Sequence, residues 1–406
     1  MKKTVASLFS GCGGMDLGFE GNFEVHSTSL SAKEASLHSD VTGNGFVRLP
    51  SLPFETVFAC DVSKKTKIAW ERYFSKRRDI SNVFHLESIV DVVKKMKSGD
   101  YQLGVEIDIV TGGFPCNDFS VAGKRRGFES NKSHKGNQQL IEGEDDPTIE
   151  NRGMLYFWMR EFISITKPKV FFAENVKGLV SLGDAKDIIS KDFASIDGSG
   201  YFVLPVRVLK AINFGVPQTR ERVIFIGINK SKLRPEVLDY LEKNGELPSH
   251  LNLYPEFTHG SEASRPFSSS SQAFSGLEEP EASEDPAQAS FSKAKYLSKG
   301  QGSAEVLLDK PGPTIRAEHH GNIEFRRLSA ENGGKNKDEL EKGLPQRRLT
   351  VRECARLQTF PDDFEFVAPG ALSASDGYRL IGNAVPPLLG YRIADRLASI
   401  WDDLFI

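Results

Sequence analysis

Of the four cysteines in the chain, at positions 12, 60, 116 and 354, one stands where a nucleophile would. The segment Gly112-Gly113-Phe114-Pro115-Cys116-Asn117-Asp118-Phe119-Ser120 sets Cys116 directly after a proline, at the end of an apolar run and before a loop carrying Lys124-Arg125-Arg126. Pro115 fixes its own φ and restricts Phe114, so the backbone carrying the thiol is held. Nearby arginines lower a thiol's pKa and favour the thiolate, which is the attacking form. A lone cysteine is usually a small buried hydrophobe, and this segment by itself leaves the two readings balanced. A second candidate is Glu174-Asn175-Val176, which follows Phe171-Phe172-Ala173. A carboxylate at the edge of a buried strand is desolvated, and that favours the protonated acid. A satisfied polar group at a strand end is the commoner case.

Two further segments have binding chemistry. Gln218-Thr219-Arg220-Glu221-Arg222 puts two arginines two residues apart. On an extended chain they share a face and can bind a base oxygen and a phosphate, or form an edge-strand ion-pair cluster. Phe9-Ser10-Gly11-Cys12-Gly13-Gly14 is rich in residues that let a ligand approach the backbone, and a helix starting there adds free N–H donors. Asp61 ends the next apolar run, the position of an acid that accepts hydrogen bonds from a ribose diol. A nucleotide-like cofactor follows. The spacing is not the G-x-G-x-x-G of a dinucleotide site.

Positioning these residues requires strands that end at each of them. Residues 4–10, 56–60, 107–110, 170–173 and 222–228 read as strands, and 15–19, 65–74 and 156–165 as helices. Strands alternating with helices predict an α/β domain with a largely parallel sheet. Ligands in such folds sit outside the carboxyl ends of the strands, and here those ends carry Gly11 to Gly14, Asp61, Gly113 to Cys116, and Glu174. Residues 27–53 and 130–151 read as inserted loops, and 259–292, rich in Ser, Glu, Pro and Ala, as a flexible segment of a second domain. Thr350 and Glu353 form a capping-box pattern, and Pro361 ends the helix it opens. Pro386-Pro387 starts a last helix with Leu388, Leu389, Ile393 and Leu397 as its buried stripe.

The 406 residues, 39% hydrophobic and 26% charged, allow two or three domains with a substantial core. The net charge of −3 does not announce a nucleic-acid binder. Lys124-Arg125-Arg126, Arg326-Arg327 and Arg347-Arg348 are local basic spots that could meet phosphates, though for each cluster alone a solvated surface is the favoured reading. No apolar run reaches the ~18 residues of a membrane span. The apolar start stops at Gly11 to Asp16, too early for a secretory leader, so a cytoplasmic protein with free thiols is expected. The cysteines and histidines complete no metal pattern.

In their order, spacing and wording these segments resemble the DNA cytosine-5 methyltransferase family of bacterial type II restriction–modification systems. The resemblance runs from Phe9 to about Leu397. It includes Phe-Ser-Gly-Cys-Gly-Gly, Gly-Phe-Pro-Cys-Asn, Glu-Asn-Val and Gln-Thr-Arg-Glu-Arg, and continues through Arg347-Arg348-Leu349-Thr350-Val351-Arg352-Glu353-Cys354-Ala355-Arg356-Leu357-Gln358 and Gly382-Asn383-Ala384-Val385-Pro386. It implies a Rossmann-like mixed sheet that binds S-adenosylmethionine, with a smaller target-recognition domain. Residues 1–228 would form the catalytic domain, 229–346 the recognition domain, 347–376 a hinge, and 377–406 a return to the catalytic domain.

By this resemblance Phe9, Gly11, Cys12, Gly14, Asp61, Val62, Glu87, Pro115, Leu155 and Asn383 would meet the cofactor. Cys116 would be the nucleophile, Glu174 the acid at the base's N3, Arg222 the holder of the cytosine O2, and Arg220 a phosphate ligand that positions the loop. Ser120, Arg125, Arg126 and Arg316 would contact DNA. Arg316 suits guanine or phosphate equally. The implied reaction adds Cys116 to C6 of a flipped cytosine so that C5 accepts a methyl group. The implied partners are double-stranded DNA and a companion restriction endonuclease, with the chain monomeric, no metal and no membrane. Asn117 departs from the family, which more often has Gln. The competing readings are a tRNA methyltransferase of the same fold, a silent DNA-binding homologue and a dinucleotide oxidoreductase.

Overall fold

The computed structural model describes residues 2–37, 44–115, 155–198, 200–298, 302–317 and 323–406. The amino-terminal part runs β1 (Lys3–Leu8), α1 (Gly14–Glu20), β2 (Glu24–His26), α2 (Ala32–Leu37), β3 (Phe46–Arg48), β4 (Phe54–Asp61), α3 (Lys64–Phe74), β5 (Phe84–Leu86), α4 (Ile89–Ser98) and β6 (Ile109–Gly113). The middle contributes α5 (Leu155–Thr166), β7 (Val170–Val176), α6 (Ala185–Ala194), β8 (Tyr201–Val203), β9 (Arg207–Lys210), β10 (Glu221–Asn229) and α7 (Pro235–Asn244). The remainder holds α8 (Ser270–Ala273), α9 (Pro286–Ala289), β11 (Phe325–Arg327), α10 (Lys337–Glu341), β12 (Arg347–Arg348), α11 (Val351–Leu357), α12 (Ala374–Asn383) and α13 (Pro387–Leu404).

An eight-stranded sheet organises residues 3–229 in the order β5-β4-β1-β6-β7-β10-β8, with β9 also on β10. The pairs from β5 to β7 are parallel, and β10 enters antiparallel to β7. The chain winds outward from β1 to β4 and β5, then crosses back to β6 and β7. That reversal between β1 and β6 is where an open α/β sheet leaves a crevice. The expected largely parallel sheet is present, and all five strands read from sequence exist. Apolar side chains from both faces are buried: Val5, Phe54, Ile109, Phe172 and Ile226 on one, Leu8, Phe58, Val110, Phe171 and Phe225 on the other.

The final helix behaves as its sequence predicts. Pro387 opens α13, and Leu388, Leu389, Ile393 and Leu397 are fully buried, with α13 packed on α1. Thr350 and Glu353 make both bonds of the capping box on α11.

Three expectations are corrected. Residues 27–53 are not a simple loop: α2 lies within them, and β3 pairs with β2. Residues 259–292 are ordered, because their polar side chains have fixed partners. Glu279 pairs with Arg327 and Arg347, Asp285 with Arg352, and Gln288 accepts the Thr350 hydroxyl at 2.7 Å. Arg326-Arg327 and Arg347-Arg348 are not phosphate-facing spots. All four are at least largely buried, bound to Glu279, Glu339 and Glu353 or, for Arg348, to the backbone carbonyls of Ala294, Lys295, Gly302 and Ile323. An arginine removed from water needs such partners. Residues 233–258, counted with the recognition domain, first pack back on the sheet side. Leu233 bridges Phe405, and the Tyr254 hydroxyl donates to the Ile224 carbonyl at 2.8 Å.

Candidate active site

The turn after β1 is fastened to the end of β4. Ser10 N–H donates to the Cys60 carbonyl at 3.0 Å, and Cys60 N–H returns to Ser10 Oγ at 3.1 Å. Gly11 N–H reaches Asp61 Oδ2 at 3.1 Å, while Ser63 N–H takes Oδ1 at 2.8 Å. Burial raises the Asp61 carboxyl above its usual range, opposed by those N–H bonds. Phe9 has φ +54°, a left-handed conformation that a bulky residue adopts only under constraint. A Cβ on Gly11 would meet nothing within 4 Å, so open space lies above the turn. Beside it Val62 and Leu86 expose their side chains at the ends of β4 and β5. Open space above the turn, a buried carboxylate at the end of β4 and exposed apolar side chains beside it suit a nucleoside-like ligand.

Not every residue expected at this site faces it. The Cys12 thiol is buried and directed at the Leu380 carbonyl, 3.7 Å away, and burial pushes its pKa up. That corrects its side chain to a packing role, since a thiol turned into α12 cannot also line the turn. Glu87 pairs with Lys95. Leu155 opens α5 inside the core cluster that holds Phe114, while Asn383 is exposed at the end of α12.

On the other side of the crevice, β6 pairs with β7 so that Gly113 lies opposite Glu174. A Cβ at 113 would come within 2.8 Å of Glu174 Oε2, so the glycine makes room for that carboxylate. The other oxygen, Oε1, takes Arg222 Nε at 2.6 Å, with both side chains largely buried. Burial is therefore not the carboxylate's only influence, as the sequence had suggested. The Asn175 amide donates to the Phe114 carbonyl at 3.2 Å, tying the residue after β6 to β7. Sequence reading missed Asn175, although its place beside Glu174 in the motif was a signal. Cys116, Ser120, Arg125 and Arg126 lie outside the described residues.

Arg220 departs from its expected role. It is 1% exposed, and its guanidinium donates to the carbonyls of Ile315, Gly382 and Ala384 at 2.8–3.0 Å. With its nitrogens turned inward it cannot reach a phosphate. It joins three segments of chain. Gln218, also missed, completes the junction: its amide oxygen accepts Ile315 N–H at 3.0 Å and its NH2 reaches Gln358 at 2.8 Å. A Cβ on Gly382 would sit 2.2 Å from the Arg316 backbone. Arg316 thus rides on the end of α12, with its side chain partly exposed and 3.8 Å from Glu324. Among the described residues no group of three or more His, Cys, Asp or Glu is placed to hold a metal, and no helix is long and apolar enough to cross a membrane.

Comparison with known proteins agrees with this geometry. The family model for C-5 cytosine-specific DNA methylases matches residues 3–399. The chain is 31% identical to the type II methyltransferase M.BspRI of Lysinibacillus sphaericus, over 99% of this chain and 83% of that one. It is 30% identical to M.NgoFVII of Neisseria gonorrhoeae, over 99% and 88%. Among solved structures, the methyltransferase EhMeth of Entamoeba histolytica superposes with a TM-score of 0.58 at 15% identity, covering 99% of each chain.

Proposed function

Because the chain belongs to the C-5 cytosine-specific DNA methylase family, and is a DNA cytosine-5 methyltransferase of the type II restriction–modification kind, we propose that it methylates C5 of one cytosine in a short duplex sequence through a covalent bond from Cys116 to C6. The observation that carries this reading is the pairing of Gly113 with Glu174, which sets the Glu174–Arg222 ion pair at the end of β6, three residues before Cys116 in sequence.

S-adenosylmethionine, when bound, supplies an electrophilic methyl group. The turn from Phe9 to Gly14, Asp61 and Val62 would hold it, with Glu87, Pro115 and Asn383 at its margins. The chain's own residues then act on the base. The target must leave the stack, at a cost of a few kcal/mol. The Cys116 thiolate adds at C6, and the C5=C6 electron pair moves toward C5 and the ring. Glu174 delivers a proton to N3 as that charge develops, while Arg222 holds Glu174 and the cytosine O2. Once C5 carries the methyl group, loss of the C5 proton to a base re-forms the C5=C6 bond and expels the Cys116 thiolate, and N3 gives up the proton it took from Glu174.

DNA would be contacted by Ser120, Arg125 and Arg126 near the catalytic turn and by Arg316 from residues 229–346. The enzyme would act as a monomer in the cytoplasm and protect DNA from a companion endonuclease, a reading supported by the type II designation of its relatives. Bisulfite sequencing of DNA from cells expressing the protein tests the reading. One short sequence context should hold unconverted cytosines, and Cys116→Ser should remove them. Full conversion everywhere with the intact protein would overturn it.

A further inference from the structure

Asp16 lies outside the residues assigned to the reaction, yet it is 1% exposed and sits in the first turn of α1, two residues after the glycine turn. Its carboxylate is held at both ends: Ser7 Oγ donates to Oδ1 at 2.5 Å and the Trp70 indole N–H donates to Oδ2 at 2.7 Å. Ser7 is on β1 just before the turn. Trp70 is on α3, fully buried, and its ring stacks on Phe74 with centroids 4.3 Å apart. That ring is the floor of the turn. Gly13 has φ +88°, and a Cβ there would lie 2.6 Å from Trp70 Cδ1 and 2.7 Å from Phe74 Cε2. One helical turn further on, Glu20 Oε1 accepts from both Arg78 at 2.9 Å and Thr56 N–H at 3.3 Å. The Arg78 guanidinium also lies over the Trp70 ring, 5.9 Å from its centroid.

We propose that Asp16 is a positioning residue for the cofactor, setting the height of the Gly11–Gly14 turn by fixing Trp70 beneath Gly13 and β1 beside it. The proposal rests on the reading that this turn holds S-adenosylmethionine. A buried carboxylate that loses one partner keeps the desolvation penalty, and an indole released from Asp16 is free to tip into the Gly13 backbone. The backbone N–H groups of the turn would then move relative to Asp61. An asparagine at 16 keeps both contacts, since its oxygen accepts the indole N–H and its NH2 donates to Ser7 Oγ.

The test measures S-adenosylmethionine affinity by titration calorimetry on the folded full chain, with kcat at saturating cofactor and DNA. Trp70→Phe and Asp16→Ala should each weaken cofactor binding by about ten-fold while changing kcat by no more than about three-fold. Asp16→Asn should bind within about two-fold of the intact protein, and DNA affinity should not move. If Asp16→Ala does not fold, Ser7→Ala, which removes one hydroxyl, takes its place with the same expectation. Unchanged cofactor affinity in Trp70→Phe, or an Asp16→Asn variant as weak as Asp16→Ala, would overturn the proposal. Asp61→Ala is the control: if it too binds normally, the cofactor is not at this turn, and the underlying reading fails instead.

Discussion

At the residue scale the chemistry converges on a carboxylate whose two oxygens have different neighbours. Glu174 Oε1 is held by Arg222, and Oε2 faces the backbone of Gly113. Replacing Glu174 by Gln keeps the shape and removes the proton donor. Methyl transfer should slow by roughly 10²–10⁴-fold, with cofactor affinity unchanged. Gly113→Ala should also slow it, because the added methyl would lie 2.8 Å from Oε2. Single-turnover rates with a tritiated methyl donor check both. Rates near that of the intact protein would remove Glu174 from the chemistry. Glu174 and Arg222 stood out in sequence because each borders an apolar run, Glu174 toward the end of β7 and Arg222 at the start of β10, which antiparallel pairing brings together. Arg220 was misread, because its partners Ile315, Gly382 and Ala384 lie more than 90 residues away, and nothing local separates a buried junction arginine from a phosphate ligand.

At the element scale, polar residues fasten the insert after β2 to the rest of the fold. His259 Nε2–H donates to the Thr28 carbonyl at 2.7 Å, and Nδ1 accepts the Thr258 hydroxyl at 2.8 Å. Arg392 donates to the Ser29 carbonyl and pairs with Glu34 of α2. Burial, with Arg392 and Arg265 nearby, lowers the His259 pKa to about 4 from 6.5. The unfolded chain therefore takes up this proton near pH 6.5 and the folded chain only near 4. Stability from His259 is fully present above 6.5 and is lost as pH falls toward 4, by up to about 3 kcal/mol. Asp16 has the opposite sign. Its pKa is raised by burial to about 6 from 3.8, so its contribution is greatest below 3.8 and is lost as pH rises through 6. Urea midpoints between pH 7 and 4.5 should therefore fall more steeply for the intact protein than for His259→Gln. A difference between the two that does not vary with pH would contradict the assignment. Composition alone had suggested that residues 259–292 were flexible. Their order comes from pairings across the chain, such as Glu279 with Arg347 and Asp285 with Arg352, which no local pattern displays.

At the scale of the whole molecule, the sheet order explains why dispersed motifs act together. The winding reverses between β1 and β6, so the glycine turn after β1 and the end of β6 lie at neighbouring strand ends, where open α/β sheets place their ligands. β4 brings Asp61 to one side and β7 brings Glu174 to the other. Alternating strands and helices made this arrangement readable from sequence. The short β2, β3, β5, β8 and β9 were not read, because three or four residues carry too little periodicity to separate from loop. The three-way junction of Gln218, Arg220 and Gly382 holds the end of α12, and with it Asn383, next to the segment carrying Arg316. The end of α12 and the segment carrying Arg316 therefore share one buried support. The central claim is that a sulfur at position 116 bonds to the base before the methyl group arrives. A duplex carrying 5-fluorocytosine at the site found by bisulfite sequencing has no C5 proton to lose, so the reaction should stop with protein attached. Intact-mass measurement of that mixture with S-adenosylmethionine should show the protein plus the methylated strand, and only the free masses with Cys116→Ser. Free masses alone from the intact protein, on a site it demonstrably methylates, would contradict the account.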